Sequence, residues 1–222
     1  MSLVLKKQAY KQVRMSIVLC MLCTVESELT LKVILHSYRL AGIDRVVIAI
    51  DEKSNYQKIV DIFYDMFESI TIVETIWSGN FCLERNRLLD LCSVDDIIIF
   101  PDDSWKLVCE SITPFIDKIA ILKIRTSEGG FGKGWTWTDR IFTNNKRFIY
   151  PIHEKLRGDL PFISEVAFED VYRNHKRTYQ RIDSDISWLE SDPSIPNQQK
   201  LIVKYKYHKD EYAKHFSTSK SF

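Results

Sequence analysis

Four short apolar runs in the first half of the chain, separated by amphipathic stretches, leave few folds open to it. Ile17–Leu22 is apolar without interruption, as a strand covered on both faces must be. Glu28–Leu40 then repeats apolar residues at helical spacing, at Leu31, Ile34, Leu35 and Tyr38, and Gly42 stands where a helix stop belongs. Arg45–Ile50 is a second buried run, ending in Asp51. Tyr56–Phe67 reads as an amphipathic helix, Ile70–Val73 as a third strand and Phe81–Cys92 as another helix. Asp96–Phe100 is a fourth strand that runs into Pro101-Asp102-Asp103-Ser104. This order predicts an α/β fold with a mostly parallel sheet and right-handed crossovers. Ligands of such sheets bind beyond the carboxyl ends of the strands, where Asp51, Asp102 and Asp103 fall.

The pattern changes after residue 115. Lys118–Arg125 reads as a strand, and the segment after it, Glu128-Gly129-Gly130-Phe131-Gly132-Lys133-Gly134, holds four of the seven glycines, which marks a loop. Trp135–Thr143 and Arg147–Ile152 read as further strands, Glu165–Glu190 as a long helix and Pro196–Phe216 as a last one. The chain of 222 residues is 45% hydrophobic, enough for one sizeable core.

Charge excludes several classes. With 31 basic and 30 acidic residues there is no basic field for nucleic acid and no acidic tail. The apolar runs are too short to span a bilayer, and the basic N-terminal stretch soon meets Glu26 and Glu28, so no cleaved signal peptide is expected. Cys20 and Cys23 have the gap of a metal or redox pair, but no second pair follows and both sit in a strand-like run. They are expected to be buried thiols in a reduced, cytoplasmic protein.

Adjacent carboxylates at a strand end repel one another unless a cation or solvent screens them. Asp102 and Asp103 therefore suit a hard divalent cation shared with a diphosphate, or equally a solvated turn or helix cap. Asp51 can accept hydrogen bonds from a nucleobase or ribose, or cap the helix that follows. Arg85, beside Asn86, can clamp phosphate or make a helix-surface ion pair. His153 and Glu154 follow Tyr150-Pro151-Ile152; they can supply a metal or phosphate contact and a base, or simply lie on the surface. Phe131, Trp135 and Trp137 offer a stacking face for a sugar, or core packing.

Together these segments resemble a family 2 glycosyltransferase of the GT-A fold, in its small bacterial, phage and viral form. The residues that carry the likeness are Leu19-Cys20-Met21-Leu22 with Glu26, Val46–Asp51, Trp77-Ser78-Gly79-Asn80-Phe81 with Glu84-Arg85-Asn86, Ile97–Asp103, Asp139-Arg140-Ile141-Phe142, and Arg147-Phe148 with Ile152-His153-Glu154. In register with Arg85-Asn86, Pro101 falls on the first Asp of the family's DxD, Asp102 on its middle residue and Asp103 on its last, the usual metal ligand. Thr24-Val25 replaces the usual Lys-Asn, and no His-Tyr-Gly lies near Glu169-Asp170.

The resemblance implies one GT-A domain over 1–222: a Rossmann-like nucleotide-sugar half at 15–115, an acceptor-side β subdomain at 116–160 and C-terminal helices at 161–222. It implies metal-dependent, inverting transfer of a sugar from a nucleotide diphosphate sugar, UDP-sugar favoured, to a glycan, lipid-linked or protein acceptor in polysaccharide synthesis. Mn²⁺ or Mg²⁺ would be held by Asp103, Asp102 and His153. Glu26, Asp51, Arg85, Asn86 and Asp102 would bind the nucleotide, and Glu154 would be the base, with Asp139 or Glu128 as replacement. Two other readings are a non-catalytic nucleotide-sugar-binding module and a sugar nucleotidyltransferase. The second normally needs a glycine-rich loop where Cys23-Thr24-Val25-Glu26-Ser27 has no glycine. Along the last helix, Leu201, Ile202, Tyr205 and Tyr212 lie beside Lys200, Lys204, Lys206 and Lys209, a pattern fit to pack internally, dimerise or touch an anionic membrane peripherally.

Overall fold

The structure is a computed structural model. It describes residues 16–23, 28–43, 45–51, 56–76, 78–109, 111–112, 121–127, 135–150, 155–157, 162–170 and 179–218. The first half follows the expected alternation: β1 Ile17–Cys23, α1 Glu28–Leu40, β2 Arg45–Asp51, α2 Tyr56–Met66, β3 Ser69–Thr75, α3 Phe81–Leu89 and β4 Ile97–Ile99. Then come β5 Trp105–Val108, β6 Ile121–Ser127, β7 Trp135–Thr143, β8 Phe148–Ile149, β9 Lys155–Leu156 and β10 Phe162–Asp170. Two helices close the chain, α4 Tyr179–Ser191 and α5 Gln198–Thr218.

Eight strands form one sheet in the order β3-β2-β1-β4-β7-β6-β10-β5. β1 pairs in parallel with β2 and β4, and β2 with β3. β7 runs antiparallel between β4 and β6, β10 lies parallel to β6, and β5 closes the edge antiparallel to β10. Only β7 and β5 oppose the common direction, so most strands end on the same edge. β6 and β7 thus extend the central sheet; β8 and β9 pair separately.

The alternation of strand side chains sorts the interior into two layers. Leu19, Met21 and Cys23 of β1 join Val46, Ile48 and Ile50 of β2 against α1 and α2. Val18, Cys20 and Leu22 face the other way, with Val47, Ile98 and Phe100, toward α3, Phe148 and Leu156. Cys20 and Cys23 therefore lie on opposite faces, which rules them out as a ligand pair; both are buried and outside any disulfide, as expected. Each fully buried aliphatic side chain contributes roughly 1.5–3 kcal/mol. Gly42, at φ +88°, ends α1, with its N–H bonded to Arg39 O and that of Ile43 to Tyr38 O.

Two expectations are corrected. Glu165–Glu190 is not one helix: residues up to Asp170 belong to β10, and α4 starts at Tyr179. Val166 and Phe168 are buried while Ala167 and Glu169 are half-buried, a period of two rather than of a helix. Arg147–Ile152 narrows to the two residues of β8, tied to β9. Strand β5 was not foreseen; it follows the acidic turn at once, with Leu107 buried between more open neighbours. The C-terminal helix packs on α4: Ile202 and Tyr205 are buried against Ile182, Ile186, Leu189 and Ile195, and Lys206 and Lys209 pair with Glu190 and Asp183.

Candidate functional site

The acidic turn is built where β4 runs out. Past the β4–β7 ladder, the Phe100 N–H donates to Arg140 O at 2.7 Å. Pro101 has no N–H to extend the ladder, and the chain turns so that Trp105 N–H donates to Asp102 O at 3.0 Å. Ser104 is buried inside this turn, whereas Asp102 and Asp103 are half-buried. From the α1 side, Tyr38 Oη donates to Trp105 O at 2.7 Å. Burial, with the Asp102 charge adding to it, holds the Tyr38 phenol well above its ordinary value, so it remains a neutral donor.

Helix α3 brings a cation beneath the turn. Asn80 caps it, its Oδ1 accepting from Leu83 N–H at 3.0 Å. Glu84, Arg85, Leu88 and Leu89 are its buried residues. Arg85, 2% exposed, donates from Nη2 to Asp102 Oδ1 at 2.6 Å. Its guanidinium lies 4.6 Å from the Phe100 ring centre and 5.5 Å from that of Phe148, faces that favour a desolvated cation. The helix-surface ion pair left open for Arg85 is therefore excluded by its burial.

A second guanidinium reaches the same oxygen: Arg140 Nη2 is 3.6 Å from Asp102 Oδ1. Its placement comes from a bulge. Ile141 pairs with Leu122 and Asp139 with the next residue, Lys123, so Arg140 is the extra residue of β7. Bulges re-aim side chains in this way. The guanidinium sits 5.6 Å from the Trp105 ring centre and 5.7 Å from that of Phe148. Two arginines thus converge on one oxygen of Asp102, offsetting the charge of that carboxylate beside Asp103.

Buried Glu84 accepts from Thr75 Oγ1 at 3.1 Å and from Ser78 Oγ at 3.4 Å, closing the loop from β3 to α3. Thr75 is the register partner of Asp51, which ends β2 and is half-buried. Asp51, Thr75, Glu84, Arg85 and Asp102 are in this way linked along the carboxyl edge of β2, β3 and β4. Asn86 faces Phe148: it receives the Phe148 N–H at Oδ1 (2.9 Å) and gives Nδ2–H to Phe148 O (3.0 Å). A side-chain amide here replaces a strand neighbour for β8 and fixes the ring beneath both arginines. Asp139 is half-buried on β7 beside Arg140. Glu26, Trp77, Glu128, Phe131, His153 and Glu154 lie outside the described residues, as do the side chains of Trp135 and Trp137.

Glu84, Arg140 and Phe148 stand in the segments that carry the resemblance, and Tyr38 on the apolar face of a helix, but the sequence assigned none of them a place in the site. A signal existed for the first: Glu84 and Arg85 precede Leu88 and Leu89 by four residues each, which puts both charges on the inward helical face. Among the described residues, no group of three or more His, Cys, Asp or Glu converges as a ready-made metal centre. The turn itself offers two neighbouring carboxylates, the oxygen donors that a hard divalent cation takes.

Neither protein-family models nor curated protein sequences give a match to the chain. Solved structures do. S. aureus TarS superposes with a TM-score of 0.54 at 11% identity, covering 86% of this chain and 43% of TarS. Its 1–349 fragment matches with a TM-score of 0.51 at 12% identity, both in complex with UDP-GlcNAc and in complex with UDP. Those matches cover 86% of this chain and 71% and 70% of the fragment. The chain thus spans less than half the length of TarS. At such identity the likeness is one of fold: a GT-A-like, mostly parallel sheet flanked by helices.

Proposed function

We propose that this chain is a glycosyltransferase that takes a sugar from a nucleotide diphosphate sugar, UDP-sugar favoured, and moves it to an acceptor hydroxyl. One observation carries the reading. At the carboxyl edge of a GT-A-like sheet, the Asp102 carboxylate is fixed by Arg85 from below, next to Asp103. The fold is shared with TarS, which has been crystallised with UDP-GlcNAc and with UDP.

In this reading Asp51, with Glu26, accepts hydrogen bonds from the base and ribose. Asp102 has one oxygen held by Arg85, which leaves the carboxylate oriented toward the ribose and diphosphate. Asn86 acts through Phe148 by keeping the aromatic floor in place. The carboxylates of Asp103 and Asp102, with His153, are the donor set for Mn²⁺ or Mg²⁺. Bound there, the cation would neutralise charge on the departing nucleoside diphosphate. The acceptor oxygen attacks the anomeric carbon on the face away from the nucleotide, the bond to the diphosphate oxygen breaks, and the configuration inverts. Glu154 takes the acceptor proton, with Asp139 as the alternative base.

A non-catalytic nucleotide-sugar binder is the second reading. It is favoured by Pro101 where a carboxylate would complete the DxD, and by two arginines already engaging Asp102. Donor hydrolysis separates the two. Mn²⁺-dependent release of UDP from a UDP-sugar, lost in Asp103→Ala, supports the enzyme; metal-independent binding without release supports the binder.

A further inference from the structure

Two cysteines on the α3 side of the sheet are used by nothing above. Cys20 lies on β1, fully buried, and Cys92 follows the last turn of α3, half-buried. They are 72 residues apart in sequence, yet their sulfurs are 3.7 Å apart, in hydrogen-bond contact with no disulfide between them. Cys92 is not there by loose packing. Asn144 Nδ2 donates to Leu89 O, Cys92 O and Ser93 O at 2.9, 3.1 and 3.0 Å, pinning the backbone on both sides of the thiol. Cationic groups flank the same segment. Arg45 donates from Nη2 to Leu91 O at 2.9 Å and pairs through Nη1 with Asp96, while Arg147 pairs with Asp90 at 3.0 Å.

We propose that Cys20 and Cys92 are a peroxide-responsive dithiol, oxidised to a reversible disulfide that ties β1 to the end of α3. Cys92 is the attacking sulfur. The hydrogen bond from Cys20 lowers its pKa most, with Arg45 and Arg147 also lowering it against burial and Asp96. Cys20 is pushed well up, burial being the main cause, so it holds its proton and acts second. In the first step the Cys92 thiolate attacks one oxygen of hydrogen peroxide; the O–O bond breaks, and the departing hydroxide takes a proton to become water. In the second, the Cys20 sulfur attacks the Cys92 sulfenic sulfur; the S–S bond forms, the S–O bond breaks, and hydroxide leaves as water with the Cys20 proton. One peroxide is reduced by two electrons and two thiols become one disulfide. Closure needs the sulfurs to approach from 3.7 Å to about 2.05 Å.

The test uses the reduced, desalted full chain treated with hydrogen peroxide at low molar excess, followed by thiol counting and mapping of linked peptides. Two of the five thiols disappear, one linked peptide contains Cys20 and Cys92, and dithiothreitol restores both. In Cys20→Ser, Cys92 stops at a sulfenic acid trapped by dimedone; in Cys92→Ser, Cys20 stays reduced. Both cysteines remaining reduced while another reacts would overturn the proposal. So would wild-type Cys92 passing to sulfinic acid with Cys20 still a thiol.

Discussion

Arg85 and Asp102 meet Nη2 to Oδ1 at 2.6 Å, the arginine side chain 2% exposed and the aspartate 42%. The pair is therefore one-sided: a buried cation seated over two aromatic rings holds a carboxylate whose other side meets solvent. This makes Asp102 a positioned, solvent-facing carboxylate and Arg85 its fixed support.

Removing the support leaves a half-buried carboxylate without its main partner and opens a hole beneath the turn. Arg85→Ala is expected to lower stability by about 1.5–3 kcal/mol, the scale of a hydrogen bond to a charged group, because Asp102 keeps solvent and Arg140. Arg85→Lys is expected to recover only part of this, because an ammonium lacks the planar fork. Urea titration of the three proteins checks both.

Asn86→Ala removes two hydrogen bonds to the Phe148 backbone at once. The expected loss is about 1–3 kcal/mol, since a buried donor and acceptor are left to find other partners. Thermal unfolding measures it. Because Asn86 supports the ring beneath the arginines, donor KM should rise more than kcat falls.

Tyr38 gives a pH signature. Its folded pKa is raised above the ordinary value near 10, so the unfolded chain loses this proton first as pH rises. The stability it contributes is complete below about pH 10 and is lost above it, as pH rises toward the folded pKa. Tyr38→Phe is expected to flatten the decline between pH 10 and 11, at a cost of about 1 kcal/mol near neutrality for the bond to Trp105 O. Denaturant midpoints of both proteins across pH 7–11 check the sign.

Gly79 adopts φ +82°, and an added Cβ would meet Trp188 Nε1 at 3.3 Å. Gly79→Ala is therefore expected to cost about 1–2 kcal/mol from backbone strain, with little relief from the crowded side. A lowered Tm should appear without change in the contacts of Arg85, which lie further along α3.

Much of the sheet and its helices was legible where local pattern and tertiary role agree. Glu28–Leu40 and Trp135–Thr143 match α1 and β7 to the residue. Legibility failed where long-range pairing decides. Phe162–Asp170 carries helix-compatible Glu and Ala, yet β6 and β5 on either side hold it as a strand. Arg140 could not be found from spacing, since a bulge in β7 sets its direction. Asp102 and Asp103 were visible as a repelling pair, but the cations that meet Asp102 come from α3 and β7, 17 and 38 positions away on either side.

The most direct test of the central claim is release of UDP from a panel of UDP-sugars, with and without Mn²⁺, by the wild-type chain and Asp103→Ala. Mn²⁺-dependent release by the wild type with one donor is expected, reduced at least 100-fold in Asp103→Ala while that variant stays folded. Release that is unchanged in Asp103→Ala, or equal with the metal chelated, would contradict it.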